Sequence, residues 1–253
     1  MAGPVVFEAN SAAGVGRLRL ATGRPGNAIT LEAIEGLRTG IREAADARLR
    51  VLLITGVEGV FSGGADVHEL AAMDEDRFGR YIDAELRLFR EVEALGLVTV
   101  VAIAGPCVGT AAEIALCCDL RVGTRSAHIQ FPEARLGFAA PAARLSRFVG
   151  IGPARDLLLS GRAASADEAL RMGLLDRVCD DEALDAVAAE EAAALARVPA
   201  GGVRATKANL AAAYEAADVA HEEIVRHAVE AFRSEELRRA LAAASTRLGG
   251  GGG

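Results

Sequence analysis

Lysine is almost missing from this sequence. Of 28 Lys and Arg residues only Lys207 is a lysine, so a bound anion must be met by arginine or by backbone N–H groups. Positive charge is also outnumbered: 28 basic against 35 acidic side chains give a net charge of −7, which excludes the footprint of a nucleic-acid binder. The four cysteines, Cys107, Cys117, Cys118 and Cys179, form neither a disulfide framework nor a zinc pattern, and a reducing, cytoplasmic compartment is expected. His68, His128, His221 and His227 make no metal-like cluster, so no metal is expected. A nucleotide P-loop, a dinucleotide G-x-G-x-x-G and a G-x-S-x-G nucleophile elbow are all absent. Residues 1–10 lack a basic flank and a long apolar run, so no signal peptide is expected.

What remains is globular in composition. The chain has 253 residues, 51% hydrophobic and 25% charged, enough for one generous domain or two small ones and too apolar for disorder. The apolar stretch Leu97 to Cys118 is long enough to span a bilayer. It is broken by Gly105-Pro106, carries Glu113, and changes from β-branched (Thr99 to Ala104) to alanine-rich (Thr110 to Cys118). That change predicts strand, turn and helix, and no membrane partner.

Strands are expected at Val5 to Glu8, Arg17 to Ala21, Arg50 to Thr55, Asp119 to Gly123 and Ala127 to Phe131. Helices are expected from Thr30 as N-cap to Ala47, from Glu75 to Ala94, and almost continuously beyond Pro132. Alternation first and helices later predict an α/β core over residues 1–198, a C-terminal helical region over 199–248, and a disordered glycine tail at 249–253.

Three features carry chemistry. Glu113 sits in an otherwise uncharged run, where burial raises the proton affinity of a carboxylate, as a general acid or base near neutral pH requires. A purely structural alternative pairs it with Arg121. Phe131-Pro132-Glu133 offers a second acid, or an ordinary helix start with proline at its first position. Two glycine-bearing turns, Phe61 to Asp66 and Gly105 to Thr110, each follow a buried strand, so their backbone N–H groups could hold a phosphate or a developing oxyanion.

Taken in order, these segments resemble the crotonase superfamily, the enoyl-CoA hydratase and isomerase group. Phe61-Ser62-Gly63-Gly64-Ala65-Asp66 is similar to its F-x-x-G-A-D loop, and Val100 to Asp119 to its strand, turn and helix ending in Cys-Asp. Glu133 with Leu136-Gly137 resembles P-E-x-x-L-G, and Leu158 to Val178 resembles L-T-G…A-x-x-A-x-x-x-G-L-V-x-x-V. The resemblance implies a spiral of short ββα turns. It also implies an acyl-CoA thioester as substrate, with no cofactor beyond that CoA, and a homotrimer or hexamer. It places the oxyanion donors at the N–H groups of Ala65 and Thr110, and the two hydratase acids at Glu113 and Glu133. CoA contacts fall on Arg24, Gly63, Ala65, Asp66 and Val67, with Phe138, Ala139 and Ala140 in the acyl pocket. Thr110 stands where the family commonly has glycine, and the Arg24-Pro25-Gly26-Asn27 turn lacks the usual lysine. With both acids present, hydration of a 2-enoyl-CoA is the leading expectation. An isomerase, an acyl-CoA decarboxylase and a non-catalytic acyl-CoA-binding or partner-binding relative stay open beside it.

Overall fold

The computed structural model describes residues 3–139, 142–214 and 221–249. Ala140 of the expected acyl pocket, the expected helix start at Pro141 and residues 250–253 of the expected glycine tail lie outside them, whereas Gly249, expected in that tail, ends a helix. A hairpin of β1 (Val5–Asn10) and β2 (Val15–Leu20) opens the chain, followed by α1 (Leu31–Asp46). The Thr30 hydroxyl accepts the Ala33 N–H, and α1 buries Ile34, Leu37 and Ile41 at helical spacing. Next come β3 (Val51–Thr55), α2 (Val67–Ala71), α3 (Glu75–Glu93), β4 (Val98–Ile103), β5 (Pro106–Val108) and α4 (Thr110–Cys117). After these run β6 (Leu120–Thr124), β7 (His128–Gln130), α5 (Ala142–Val149), α6 (Ile151–Ser160), β8 (Ala163–Ser165), α7 (Ala166–Met172) and β9 (Arg177–Cys179). Four helices close the chain: α8 (Leu184–Leu195), α9 (Ala200–Tyr214), α10 (His221–Arg233) and α11 (Glu235–Gly249).

The strands form a six-stranded sheet in the order β1-β2-β3-β4-β6-β9 and a three-stranded sheet in the order β5-β7-β8. From β4 onward the chain alternates between them: β4 then β5 then α4, β6 then β7 then a helix. This is the ββα spiral. The large-sheet strands from β2 onward pair in parallel and need cover on both faces. Leu52, Ile54, Val101 and Ile103 point into the main core, while Val51, Leu53, Val98, Val100 and Val122 face Ala188 and Ala192 of α8. Every residue of β3 and β4 is therefore buried, which is why neither shows polar alternation.

The apolar run at 97–118 is a buried strand and a helix, as its composition predicts, but the turn expected between them also holds the short strand β5. No helix among the described residues is long and apolar enough to cross a membrane. Beyond Pro132 the expectation of nearly unbroken helix is corrected: β8 and β9, three residues each, add an edge to each sheet. Pro132 is likewise not a first helical residue but precedes a 3-10 turn over Glu133–Leu136. The C-terminal helices fold back on the core, where Phe232, Leu237 and Leu241 are buried and Phe232 stacks on Phe78 with ring centroids 4.2 Å apart.

Candidate active site

Two loops of the spiral run side by side. Phe61 N–H donates to Ala104 O (2.7 Å), Ser62 N–H to Pro106 O (3.0 Å), and Val108 N–H returns to Ser62 O (3.2 Å). Gly64, at φ +90°, lets the first loop close on the second. A Cβ there would lie 2.4 Å from Val108 O, a separation only glycine permits. Ala65 and the start of α4 at Thr110 meet across this contact. Among the described residues neither the Ala65 N–H nor the Thr110 N–H donates to another backbone group. Thr110 opens α4 after Gly109 at φ +54°, so its N–H is one of the unsatisfied donors of a helix N-terminus.

The loops open onto a cavity of about 400 Å³, whose wall includes Gly63, Ala65, Val67, Thr110, Glu113, Glu133, Phe138 and Ala139. Both acids expected from the sequence line it. Glu113 is one helical turn into α4. Glu133 follows β7, and a Cβ on Gly109 would lie 3.3 Å from its Oε1, so the acid sits against the turn that leads into Thr110.

Electrostatics separate the two acids. Arg144 of α5 donates through Nη1 to Glu113 Oε2 at 2.9 Å and through Nε to Glu93 Oε1 at 2.9 Å. Burial pushes Glu113 up to about 7, against the pull of Arg144. Glu133 Oε2 is buried with no protein partner, and burial, then the Glu113 charge, push that carboxyl up to about 8. The Arg144 ion pair favours the ionised form of Glu113, and the lack of a partner for Glu133 Oε2 favours the protonated form of that acid. Arg121, the alternative partner of Glu113 in the sequence, is instead bound to Asp176 (2.7 Å) and Cys118 O (2.8 Å). Sequence reasoning missed Arg144, which lies 31 residues beyond Glu113 on a different helix.

The expected CoA contacts divide. Gly63, Ala65 and Val67 line the cavity, whereas Asp66 is buried beneath it and caps α2 by accepting the His68 and Glu69 N–H groups. Arg24 is exposed outside this cavity, with Nε 3.7 Å from Asp66 Oδ2. The sole lysine, Lys207, is engaged in the fold, donating to Asp119 Oδ2 (2.7 Å) and Leu97 O (3.0 Å). The described residues contain no group of three or more His, Cys, Asp or Glu arranged to hold a metal ion.

A family described as enoyl-CoA hydratase/isomerase matches residues 10–245. A probable enoyl-CoA hydratase of Mycobacterium leprae is 36% identical over 160 residues, 60% of this chain and 62% of that protein. A peroxisomal bifunctional enzyme of Pongo abelii is 34% identical over 168 residues, 64% of this chain and 22% of that protein. The matched region thus covers less than two thirds of either relative's length. The human mitochondrial delta3-delta2-enoyl-CoA isomerase has the same fold, with TM-score 0.90 at 27% identity over 99% of this chain and 100% of that one. An enoyl-CoA hydratase from Mycobacterium avium gives TM-score 0.84 at 26% identity over 98% of both chains.

Proposed function

The chain belongs to the enoyl-CoA hydratase/isomerase family, and from that premise we propose that it adds water across the 2,3-double bond of a 2-enoyl-CoA thioester. The observation that carries the reading is the pairing of unlike acids in one cavity: Glu113 held by Arg144, and Glu133 with an unpartnered buried oxygen. An isomerase needs one group to move a proton between carbons, whereas hydration needs a base for water and an acid for carbon.

The thioester oxygen lies between the Ala65 and Thr110 N–H groups. The Glu113 carboxylate takes a proton from water as its oxygen bonds to C3, and the π electrons move onto the thioester oxygen as an enolate. Two fixed backbone dipoles stabilise that charge without reorganising. The enolate collapses as Glu133 gives its proton to C2. Glu113 ends protonated and Glu133 ionised, so one proton passed from Glu113 to Glu133 through solvent resets the site. Gly63 and Val67 backbone groups cradle the CoA adenine in this reading, and Arg24 serves its phosphates.

Short and medium 2-enoyl-CoAs, 3-enoyl-CoAs and malonyl-type thioesters, assayed side by side, test it. Hydration of 2-enoyl-CoA is expected to exceed every other conversion; a dominant 3-to-2 double-bond shift or decarboxylation contradicts it.

The pH profile is a second check. Activity rises as Glu113 loses its proton near pH 7 and falls as Glu133 loses its own near pH 8, so kcat/KM is bell-shaped with its maximum between. Arg144 holds Glu113 down, so Arg144→Gln is expected to move the acid limb to higher pH, by about one unit or more. An unmoved limb contradicts the assignment of the base.

A further inference from the structure

A third carboxyl faces the same cavity, and the mechanism above makes no use of it. Glu85 stands on α3, and the Thr110 hydroxyl donates to its Oε1 at 2.6 Å. One helical turn earlier on the same face, the buried Tyr81 hydroxyl donates to Ile29 O at 3.3 Å. Ile29 in turn brackets Ala65: its N–H donates to Gly64 O (2.8 Å) and its carbonyl accepts the Asp66 N–H (2.9 Å). Two residues four apart on one rigid helix thus hold the segments that carry the two oxyanion donors.

We infer that Glu85 is a positioning residue: through the Thr110 hydroxyl it fixes the second thioester-oxygen donor at the spacing set by α3. The inference rests on the proposed acyl-CoA site. A side chain at the first residue of α4 could swing that turn or block the pocket, and the tether to Glu85 prevents both. The charges around Glu85 keep the tether compatible with an oxyanion. Glu113 of α4 and Glu133 face it, with Arg144 and Arg147 on α5 and Arg90 and Glu93 on α3 lining the same cavity. Burial, then the Glu113 charge, push the Glu85 carboxyl up to about 8, which favours its uncharged form, the form that does not oppose negative charge on the thioester oxygen.

The test compares calorimetric affinities at pH 7 for acetoacetyl-CoA, whose enolate places negative charge on the thioester oxygen, and for butyryl-CoA, which forms none. Glu85→Ala is expected to weaken acetoacetyl-CoA at least tenfold and butyryl-CoA less than twofold. Glu85→Gln, which keeps a carbonyl to accept the hydroxyl, is expected to recover most of that loss. Thr110→Val removes the same bond from the other side, with a near-isosteric side chain, and is expected to reproduce the selective loss even where Glu85→Ala fails to fold. Equal loss for both ligands, or none, overturns the inference. Selective loss in a protein that does not hydrate 2-enoyl-CoA leaves the inference standing and removes only the hydratase reading.

Discussion

Glu133→Gln is expected to lower kcat for hydration by about 10³-fold with little change in KM, because a positioned acid contributes about 10²–10⁴ and the amide cannot supply a proton to C2. Glu113→Gln is expected to cost a similar factor by leaving the water without a base. The two differ in what survives. Exchange of the C2 protons of a saturated acyl-CoA with deuterated solvent needs only Glu133 and the two backbone donors, so it is expected to persist in Glu113→Gln and vanish in Glu133→Gln. The two variants also differ from wild type in stability. Glu133 binds its proton more tightly folded than unfolded, so its contribution is fully present below the unfolded value near 4 and lost as pH rises through about 8. Glu133→Gln removes that loss, and its melting temperature is expected to exceed wild type at pH 8.5 by more than at pH 5. A buried acid with its proton affinity raised this way works against the fold once it ionises.

The second large effect comes from one hydrogen atom. Gly64→Ala places a methyl group 2.4 Å from Val108 O, at a φ of +90° that L side chains rarely adopt. The loop must back away, and it carries the Ala65 N–H with it. Loss of one oxyanion donor costs about 10²–10³ in kcat, and that fall is expected here together with a lowered melting temperature. Because the damage is to the transition state, acetoacetyl-CoA is expected to lose more affinity than butyryl-CoA. A variant with wild-type kcat would show that the first loop does not supply a donor.

The sequence is most legible where a local rule is violated. Glu113 inside an apolar helix and glycines after buried strands are such violations, and the structure brings them to one cavity. The strand, turn and helix at 97–118 could be read because side-chain character changes sharply at Gly105-Pro106. What could not be read is contact between distant segments. Arg144 reaches Glu113 from another helix, and Lys207 reaches Asp119 across 88 residues. β8 and β9 are too short for alternation to show, and each exists because a neighbouring strand offers it an edge. Glu85 does carry a local signal in the sequence. On α3 the buried stripe runs Phe78, Tyr81, Leu88, Phe89 and Val92, and Glu85 falls on it four residues after Tyr81, a carboxylate on an apolar face.

The most direct test of the account is a structure with a bound, unreactive acyl-CoA thioester. The expected complex has the thioester oxygen about 2.7–3.1 Å from both the Ala65 and Thr110 nitrogens, with C2 facing Glu133 and C3 facing Glu113. A thioester bound away from those two nitrogens, or both acids on the same carbon, would contradict it.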